Sequence, residues 1–348
     1  MKRTRLRLRS PAAWLALALA PSCWIGCGPG PSASPSTILA ADSVGGSVLI
    51  RSYHDYAGTV PTGVRERVVL APDGRSKVEL LELNGQARAD LTSPEAILAF
   101  DQLATLYGRG VGNYILKVRD FHVVNGDLFD QNYTWQVIAT NAAVAGRPCA
   151  MGQVMPRSLD RPWYEVWVDI ESHQTLKYIE HLPSGVVAAE METLSVEFNV
   201  DTSGEQFPTP QVGTSTPVTI DTIGSFLPPN FKAWLPDGPG AYLPAGFAVS
   251  AIEVTTLVGF PTIRWRCTDG AQEILIAEYP ELPQNAKAAL SPSPDEPTQV
   301  NLMTFGAFTN TDFVLGANDT DHGTRVFVLG KVEPVELQFM IEGMRRVH

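Results

Sequence analysis

The side chains that could perform chemistry are scattered along this chain of 348 residues. Its six histidines do not cluster. His173 and His181 fall on one predicted hairpin, but no carboxylate or cysteine spacing beside them completes a metal site. Asp127 and Asp130 lie in a predicted loop as solvated turn residues, and the sequence has neither a Gly-x-Ser-x-Gly nucleophile elbow nor a phosphate-binding loop. We therefore expect a protein that is not an enzyme and uses no metal or cofactor.

Residues suited to an apolar ligand lie on a predicted antiparallel meander of three strands between Gly146 and Val200. Turn sequences centred on Ser172 and Ser184 separate its strands. Side chains alternate at period two along a strand, so four residues should share one face. These ligand-binding candidates are Tyr164, Val166, Val168 and Ile170.

Two further aromatic residues, Tyr114 and Trp135, are ligand-binding candidates on predicted strands before the meander. Trp163, Glu165 and Trp167 share the opposite face of this strand. Because a charged residue lies between the two tryptophans, we expect them at the rim or on the outer surface. For any one aromatic residue, a place in a packed core is the alternative, because aromatic side chains fill cores.

A helix is predicted to begin near Pro94, which is tolerated in a first turn. Thr92 and Glu95 form a capping-box pattern around it. Apolar residues at helical spacing then predict a face that lies on the sheet. These residues are Ile97, Phe100, Leu103 and Tyr107. Hairpin turns are predicted at Pro72-Asp73-Gly74 and Asn84-Gly85.

The first 27 residues have the pattern of an export signal. Basic residues up to Arg9 precede a short apolar segment at 12–20, which is too short for a comfortable membrane span. An uncleaved anchor is the alternative. We expect an exported protein of the periplasm or cell envelope, with residues 28–37 as a flexible tether rich in Gly, Pro and Ser.

The four cysteines fall into two groups. Cys27, directly before the tether, is the lipidation candidate of a bacterial lipoprotein signal, with Cys23 or plain secretion as alternatives. Cys149 and Cys267 would reach an oxidising compartment, which permits a disulfide between them. Two separate buried thiols are the alternative, because spacing alone does not fix pairing.

Charge limits the partners. The formal net charge is −11, and removal of the five positive charges of the signal leaves about −16. Such an acidic surface argues against nucleic acid or anionic lipid headgroups as main partners. Membrane association is therefore expected only through a lipid anchor.

Composition indicates a globular chain, with 44% hydrophobic and 18% charged residues, long enough for two domains. A stretch rich in Thr, Ser, Pro and Gly after Val200 marks the boundary. We predict domains at 38–200 and 226–348, joined by a linker at 201–225.

Short motifs in this order resemble the periplasmic sigma-factor regulators of the RseB/MucB type, whose N-terminal domain is related to the lipoprotein carriers LolA and LolB. The motifs are Tyr56-Ala57-Gly58-Thr59, Leu83-Asn84-Gly85, Gly146-Arg147-Pro148-Cys149, Tyr164 to Asp169, Leu243-Pro244-Ala245-Gly246-Phe247, Thr268-Asp269-Gly270 and Gly330 to Pro334.

The resemblance implies an α+β fold: an N-terminal open antiparallel β half-barrel covering helices, then a smaller α/β domain. It implies that the half-barrel accepts an acyl chain or lipoprotein. It also implies that the protein binds the periplasmic segment of a membrane anti-sigma factor. A LolA/LolB-like lipid or lipoprotein carrier without signalling is the alternative, and a fully packed half-barrel that binds nothing is another.

Overall fold

The computed structural model describes residues 45–56, 62–108, 121–158, 161–208, 215–227, 231, 233–236, 241–257, 260–280, 313–319, 324–330, 332 and 334–346. The predicted signal peptide, its tether, Cys27 and Tyr114 lie outside these residues. Among the helices that are described, none has the length and apolar character needed to cross a membrane. The described residues all belong to one compact unit, so the division at 201–225 stays a prediction.

A large antiparallel sheet is built from the first nine strands of the described chain, in the order β4-β3-β2-β1-β9-β8-β7-β6-β5. Its edges, β4 and β5, do not pair with each other, so the sheet is open. The strands are β1 (Ser47–Asp55), β2 (Thr62–Leu70), β3 (Ser76–Leu83), β4 (Gln86–Ala87), β5 (Tyr133–Val144), β6 (Arg147–Pro156), β7 (Trp163–Asp169), β8 (Thr175–His181) and β9 (Val187–Phe198). Two helices accompany them, α1 (Pro94–Gly108) and α2 (Gly126–Asn132).

A second antiparallel sheet follows, in the order β10-β12-β13-β14-β16-β15. Its strands are β10 (Thr216–Pro217), β12 (Ala248–Leu257), β13 (Phe260–Thr268), β14 (Glu273–Pro280), β15 (Phe313–Asp319) and β16 (Thr324–Gly330). Helix α3 (Pro334–Gly343) packs against β15 and β16. A small pair of strands, β11 (Trp234–Leu235) and β17 (Arg345–Arg346), completes the described part of this half.

The predicted turns are confirmed by the backbone. Gly74 has a φ of +84° between β2 and β3, and Asn84 and Gly85 have φ values of +51° and +77° between β3 and β4. Two successive positive φ values suit a two-residue hairpin turn, which explains why Asn-Gly occupies this one. Ala145 and Gly146 form the corresponding turn between β5 and β6.

Helix α1 begins as predicted near Pro94, but its cap is Ser93 and not Thr92. The Ser93 hydroxyl accepts a hydrogen bond from the backbone N–H of Ala96 at 3.1 Å. Phe100, Leu103 and Tyr107 are buried, so the predicted apolar face is confirmed. This face packs against β3.

Two other local predictions are wrong. The stretch from Gly146 to Val200 contains four strands, β6 to β9, because Arg147–Pro156 forms a strand of its own before β7 begins at Trp163. Asp127 and Asp130 lie on α2 and not in a loop. The Asn125 side chain starts this helix by accepting a hydrogen bond from the backbone N–H of Leu128, and Phe129 anchors it in the core.

Each sheet has its own hydrophobic core, and each core contains one of the two cysteines. Cys149 and Cys267 are both buried and are not joined by the disulfide that the sequence permits. Burial raises the pKa of the Cys149 thiol, which keeps it protonated and unreactive.

The first part of the predicted linker is tied to the first sheet. Glu205 accepts hydrogen bonds from Arg67 at 2.5 Å and from Lys77 at 3.1 Å. The guanidinium of Arg75 lies 4.7 Å from the centre of the Phe207 ring. Residues 201–208 are therefore held against strands β2 and β3.

Candidate binding face and sheet junction

Three predicted ligand-binding residues, Tyr164, Val166 and Val168, share the buried side of the first sheet, which we call the inner face. The Phe121 ring packs 4.9 Å from the Tyr164 ring. Tyr107 of α1 reaches the same face. The helix and the segment that enters α2 therefore lie over the inner face, and a role of these residues in ligand binding stays a prediction.

The prediction that Ile170 shares this face is wrong. Strand β7 ends at Asp169, and Ile170 lies in the following turn with 49% of its surface exposed. The buried Asp169 carboxylate accepts hydrogen bonds from the backbone N–H groups of Glu171 at 3.1 Å and Ser172 at 2.8 Å. A side chain bonded in this way turns the chain, so period-two alternation stops before Ile170.

Trp135 packs against the core of the inner face from edge strand β5. A Cβ atom at Gly152 would lie 2.5 Å from its ring, so the indole lies across this glycine of the neighbouring strand. Its ring N–H is buried and has no hydrogen-bond acceptor among the described residues. A buried donor left in this state is unfavourable by about 1–3 kcal/mol, and a ligand oxygen would remove that penalty.

On the outer side of β7, unlike the inner face, the aromatic side chains contact polar residues. The rings of Trp163 and His181 stack with centroids 3.7 Å apart and planes within 3° of each other. The Lys177 ammonium lies 5.4 Å from the centre of the Trp167 ring. Both tryptophans therefore pair with polar neighbours, as alternation predicts for the outer face.

A buried polar network crosses the inner face on β1 and β2. Arg51 donates to the Glu66 carboxylate at 2.7 Å, and the Tyr107 hydroxyl donates to its other oxygen at 3.2 Å. All three side chains are buried. Removal of one member would leave a buried charge without its partner, which is strongly destabilising.

The phenol of Tyr164 lies deep within the inner face. Burial raises its pKa well above the ordinary value, and the neighbouring Glu180 carboxylate raises it further. The hydroxyl stays neutral and accepts a hydrogen bond from the Gln272 side chain at 3.2 Å. Gln272 belongs to the turn between β13 and β14, so the inner face is linked directly to the second sheet.

This link is part of a junction built around Asp269. The carboxylate accepts a hydrogen bond from the Tyr133 hydroxyl at 2.7 Å and forms an ion pair with Arg161. Arg161 also donates to the carbonyl of Ala245 and lies 4.7 Å from the Phe247 ring centre. Burial and the Asp269 charge raise the pKa of the Tyr133 phenol well above its usual range, so it remains a donor.

Two glycines allow the turns of the second sheet to approach α2 closely at the junction. A Cβ at Gly246 would lie 2.3 Å from the Asn132 side chain, and one at Gly270 would lie 2.2 Å from the Phe129 nitrogen. Both glycines have positive φ, +83° and +109°. Asn132 donates to the carbonyls of Gly246 and Asp269, at 3.0 and 2.9 Å. The Leu-Pro-Ala-Gly-Phe and Thr-Asp-Gly motifs therefore fasten the second sheet to α2.

The polar residues of the network and the junction are not predicted from the sequence. Arg51 and Glu66 could have been recognised from the sequence, because each lies at a strand position whose neighbours two residues away are apolar and face the core. Asp269 lies within a motif that by itself predicts only a turn. The residues around Arg161 do not indicate that it forms a buried ion pair, because its partner Asp269 is 108 residues away in the sequence.

Metal binding gains no support from the described residues. The described residues contain no group of three or more His, Cys, Asp or Glu side chains that could hold a metal ion. The arrangement provides a covered face on which the ring N–H of Trp135 has no acceptor among the described residues, and a polar connection from that face to the second sheet.

No known protein family and no curated protein matches the chain in sequence. The crystal structure of MucB aligns with 91% of this chain and with 100% of its own chain, at 15% sequence identity and a TM-score of 0.50. The fold is that of MucB.

Because the MucB alignment spans 91% of the chain, it includes both sheets and not the half-barrel alone. The predicted fold class, an open antiparallel half-barrel with helices followed by a smaller sheet-and-helix part, is confirmed. Two complexes are also similar at 14% identity over 90% of this chain and 97% of theirs: MucB with MucA(peri), at a TM-score of 0.49, and Pseudomonas aeruginosa MucA/MucB, at 0.48.

Proposed function

We propose that this chain is a non-enzymatic protein of the cell envelope that binds the periplasmic segment of a membrane anti-sigma factor and regulates it. The observation that carries the proposal is the second sheet, fastened to the half-barrel by the buried Arg161–Asp269 pair. A simple lipoprotein carrier has no need of a second domain held in a fixed position. MucB binds the periplasmic part of MucA in the complexes named above, and a partner of that class is proposed here.

The proposal is tested by binding experiments with the full-length chain as bait for detergent extracts of envelope. We expect recovery of a single-pass membrane protein whose cytoplasmic part binds a sigma factor, identified by mass spectrometry. Arg161→Ala should reduce the bound amount at least tenfold, because removal of one partner of a buried ion pair is unfavourable by about 3–5 kcal/mol and loosens the junction.

Arg65→Ala is the matched control, because Arg65 forms an exposed ion pair with Glu82 on the outer face, far from the junction residues in sequence. Circular dichroism of both variants verifies that they are folded. Recovery of no membrane regulator by the wild-type chain would count against the proposal.

We further propose that the inner face senses an acyl chain or the lipid of a lipoprotein. Tyr164, Val166 and Val168 supply apolar surface, and burial of such surface yields about 25 cal/mol per Å². The unpaired Trp135 N–H supports a ligand that brings an oxygen acceptor, such as an acyl ester or amide. The Arg51–Glu66–Tyr107 network occupies another part of the same face, which leaves less room for a bare hydrocarbon.

Native mass spectrometry of the purified chain tests this second proposal. We expect co-purified or added fatty acyl ester to bind, with affinity reduced about three- to tenfold in Trp135→Phe, which keeps the ring but loses the N–H. Trp163→Phe is the control, because Trp163 lies on the outer face. An unliganded protein that takes up no added ester would refute lipid sensing and leave the anti-sigma proposal intact.

A further inference from the structure

Four charged side chains form a closed ring of ion pairs on the outer side of strands β2 and β3. Arg67 binds Glu79 at 2.9 Å and Glu205 at 2.5 Å. Lys77 binds the same two carboxylates, at 2.7 and 3.1 Å. Three of these residues belong to the two strands, whereas Glu205 comes from the segment after β9, 128 residues beyond Lys77. A carboxylate from a distant segment therefore completes the ring.

The same segment, residues 201–208, also places an aromatic ring on the sheet, and we call it the strap. The Arg75 guanidinium lies 4.7 Å from the centre of the Phe207 ring, within the range of a cation–π contact. Gln206, between Glu205 and Phe207, is exposed, since alternate residues of an extended segment point in opposite directions. The strap thus presents a carboxylate and, two residues later, an aromatic ring to basic side chains of the first sheet.

The first turn of the strap fixes where these two side chains arrive. The backbone N–H of Glu205 donates to the carbonyl of Thr202 at 3.1 Å. Thr202 is buried, and a Cβ atom at Gly46 would lie 2.8 Å from its methyl group. Tight packing anchors this end of the strap, whereas Glu205 and Phe207 are held through side chains that are partly exposed. Both side chains can therefore leave the sheet while the anchor at Thr202 stays in place.

Charge complementarity favours an acidic occupant at this position. Without Glu205, the positive charges of Arg67 and Lys77 would face only the negative charge of Glu79 within the ring. The local excess of positive charge attracts a carboxylate, although the whole chain has a net charge of −11. Hydrogen bonds from Arg67 and Lys77 accordingly lower the pKa of the Glu205 carboxyl. Each ion pair is partly exposed and hence individually weak, so the occupant can exchange.

We propose that the outer side of β2 and β3 is a binding site for a peptide that carries a carboxylate and, two residues later, an aromatic ring, and that the strap occupies this site within the same chain. A partner segment of this chemistry displaces Glu205 and Phe207 and takes their place on Arg67, Lys77 and Arg75. The strap is then an autoinhibitory contact. This site is independent of the proposed function, because it uses neither the junction nor the inner face.

Fluorescence anisotropy with a labelled peptide of residues 201–208, blocked at both ends, tests the proposal on the full-length chain. The double substitution Glu205→Gln and Phe207→Ala gives an open variant, whose strap no longer fills the site. We expect the open variant to bind the peptide with a Kd on the order of 100 μM. The wild type should bind it about tenfold more weakly, because its own strap competes at an effective concentration of about 1 mM.

A changed peptide and two further substitutions in the open variant test the chemistry of the site. A peptide with glutamine for glutamate and alanine for phenylalanine should bind about tenfold more weakly. Arg67→Ala should also weaken binding of the original peptide about tenfold. Arg65→Ala is the matched control, because Arg65 lies on the same strand in an exposed ion pair with Glu82, and it should leave the affinity unchanged. Circular dichroism verifies that every variant is folded.

Hydrogen exchange measures release of the strap without any added peptide. In an otherwise wild-type chain, Arg67→Ala should speed exchange of the strap amides about fivefold, including the Glu205 N–H that bonds to Thr202. Arg65→Ala should not change these rates. A rise in salt from about 50 to 300 mM should act in the same direction as Arg67→Ala, because salt screens partly exposed ion pairs.

Several outcomes would overturn the proposal: an open variant that binds no peptide at about 1 mM, a wild type that binds it as tightly as the open variant, or equal binding of the two peptides. Equal weakening by Arg67→Ala and Arg65→Ala would also overturn it, as would strap exchange that Arg67→Ala leaves unchanged. None of these results bears on anti-sigma binding, which is measured separately.

Discussion

At the scale of single residues, charged side chains occupy strand positions that alternation assigns to apolar ones. Arg51, Glu66 and Glu278 are all buried within sheets. Each is held by specific donors or acceptors, as burial of a polar group requires. These residues add little to a hydrophobic core, but they restrict how the strands can pair.

Glu278 illustrates the point, because two hydrogen-bond donors meet its carboxylate inside the second sheet. The carboxylate accepts the backbone N–H of Trp234 at 2.7 Å and the ring N–H of Trp265 at 2.5 Å. Burial raises the pKa of Glu278 to about 8, although these two hydrogen bonds act in the opposite direction. The residue ties β14 to the short strand β11.

This raised pKa predicts a stability that falls as pH rises. Between pH 4.5 and about 8 the folded state holds a proton that the unfolded state has released, so the free energy of unfolding decreases across that interval. The decrease is on the order of a few kcal/mol, since one pKa unit corresponds to about 1.4 kcal/mol. Glu278→Gln cannot titrate and should remove this part of the pH dependence in urea unfolding at pH 5 and pH 8.

Glu253→Gln serves as its control, because Glu253 lies in the same sheet in a half-buried ion pair with Arg264. The side-chain amide of Glu278→Gln has one acceptor oxygen, but two N–H donors point at this position. We therefore expect this variant to be less stable than the wild type at pH 5 as well. Equal pH slopes for Glu278→Gln and the wild type would show that the carboxylate is ionised throughout.

At the scale of elements, turns and helix ends follow rules that act between neighbouring residues. The closest contacts between elements depend instead on glycine, which has no side chain in the way. The Asn84-Gly85 turn and helix α1 form where the sequence predicts them. Gly246 and Gly270 also have the positive φ expected of turn glycines. Their second role, to let the turns touch α2, comes from the packing of distant segments.

Gly270→Ala should therefore be far more damaging than an ordinary turn substitution. Its Cβ would meet the Phe129 backbone at 2.2 Å, and φ is +109°. We expect a loss of more than about 3 kcal/mol, from backbone strain together with displacement of α2. Denaturant unfolding followed by tryptophan fluorescence measures this loss.

Gly74→Ala provides the comparison, because Gly74 has a φ of +84° but a Cβ atom added there would meet no other atom within 4 Å. It should lose only about 1 kcal/mol from the left-handed conformation. Similar losses for the two variants would mean that the contact with Phe129 does not hold the sheets together.

At the scale of the whole molecule, two separate cores are joined by a polar junction. The cores contain Cys149 and Cys267 respectively, which explains why these thiols stay apart. The two proposed functions are tested through different residues, Arg161 at the junction and Trp135 on the inner face, so the variants for one proposal spare the other.

The sequence by itself determined the class of fold, most turns, the apolar face of α1 and the inward direction of Tyr164, Val166 and Val168. The turns and the directions of these side chains follow from residue periodicity and turn chemistry, which act over a few neighbouring residues. The class of fold was implied by the order of short motifs that resemble a known family. Only the tertiary structure decided that Ile170 leaves the inner face and that Arg161 pairs with Asp269. It also decided that the indole of Trp135 lies over Gly152 with its N–H unpaired. These features depend on side chains brought together from distant strands, and no local pattern encodes such distances.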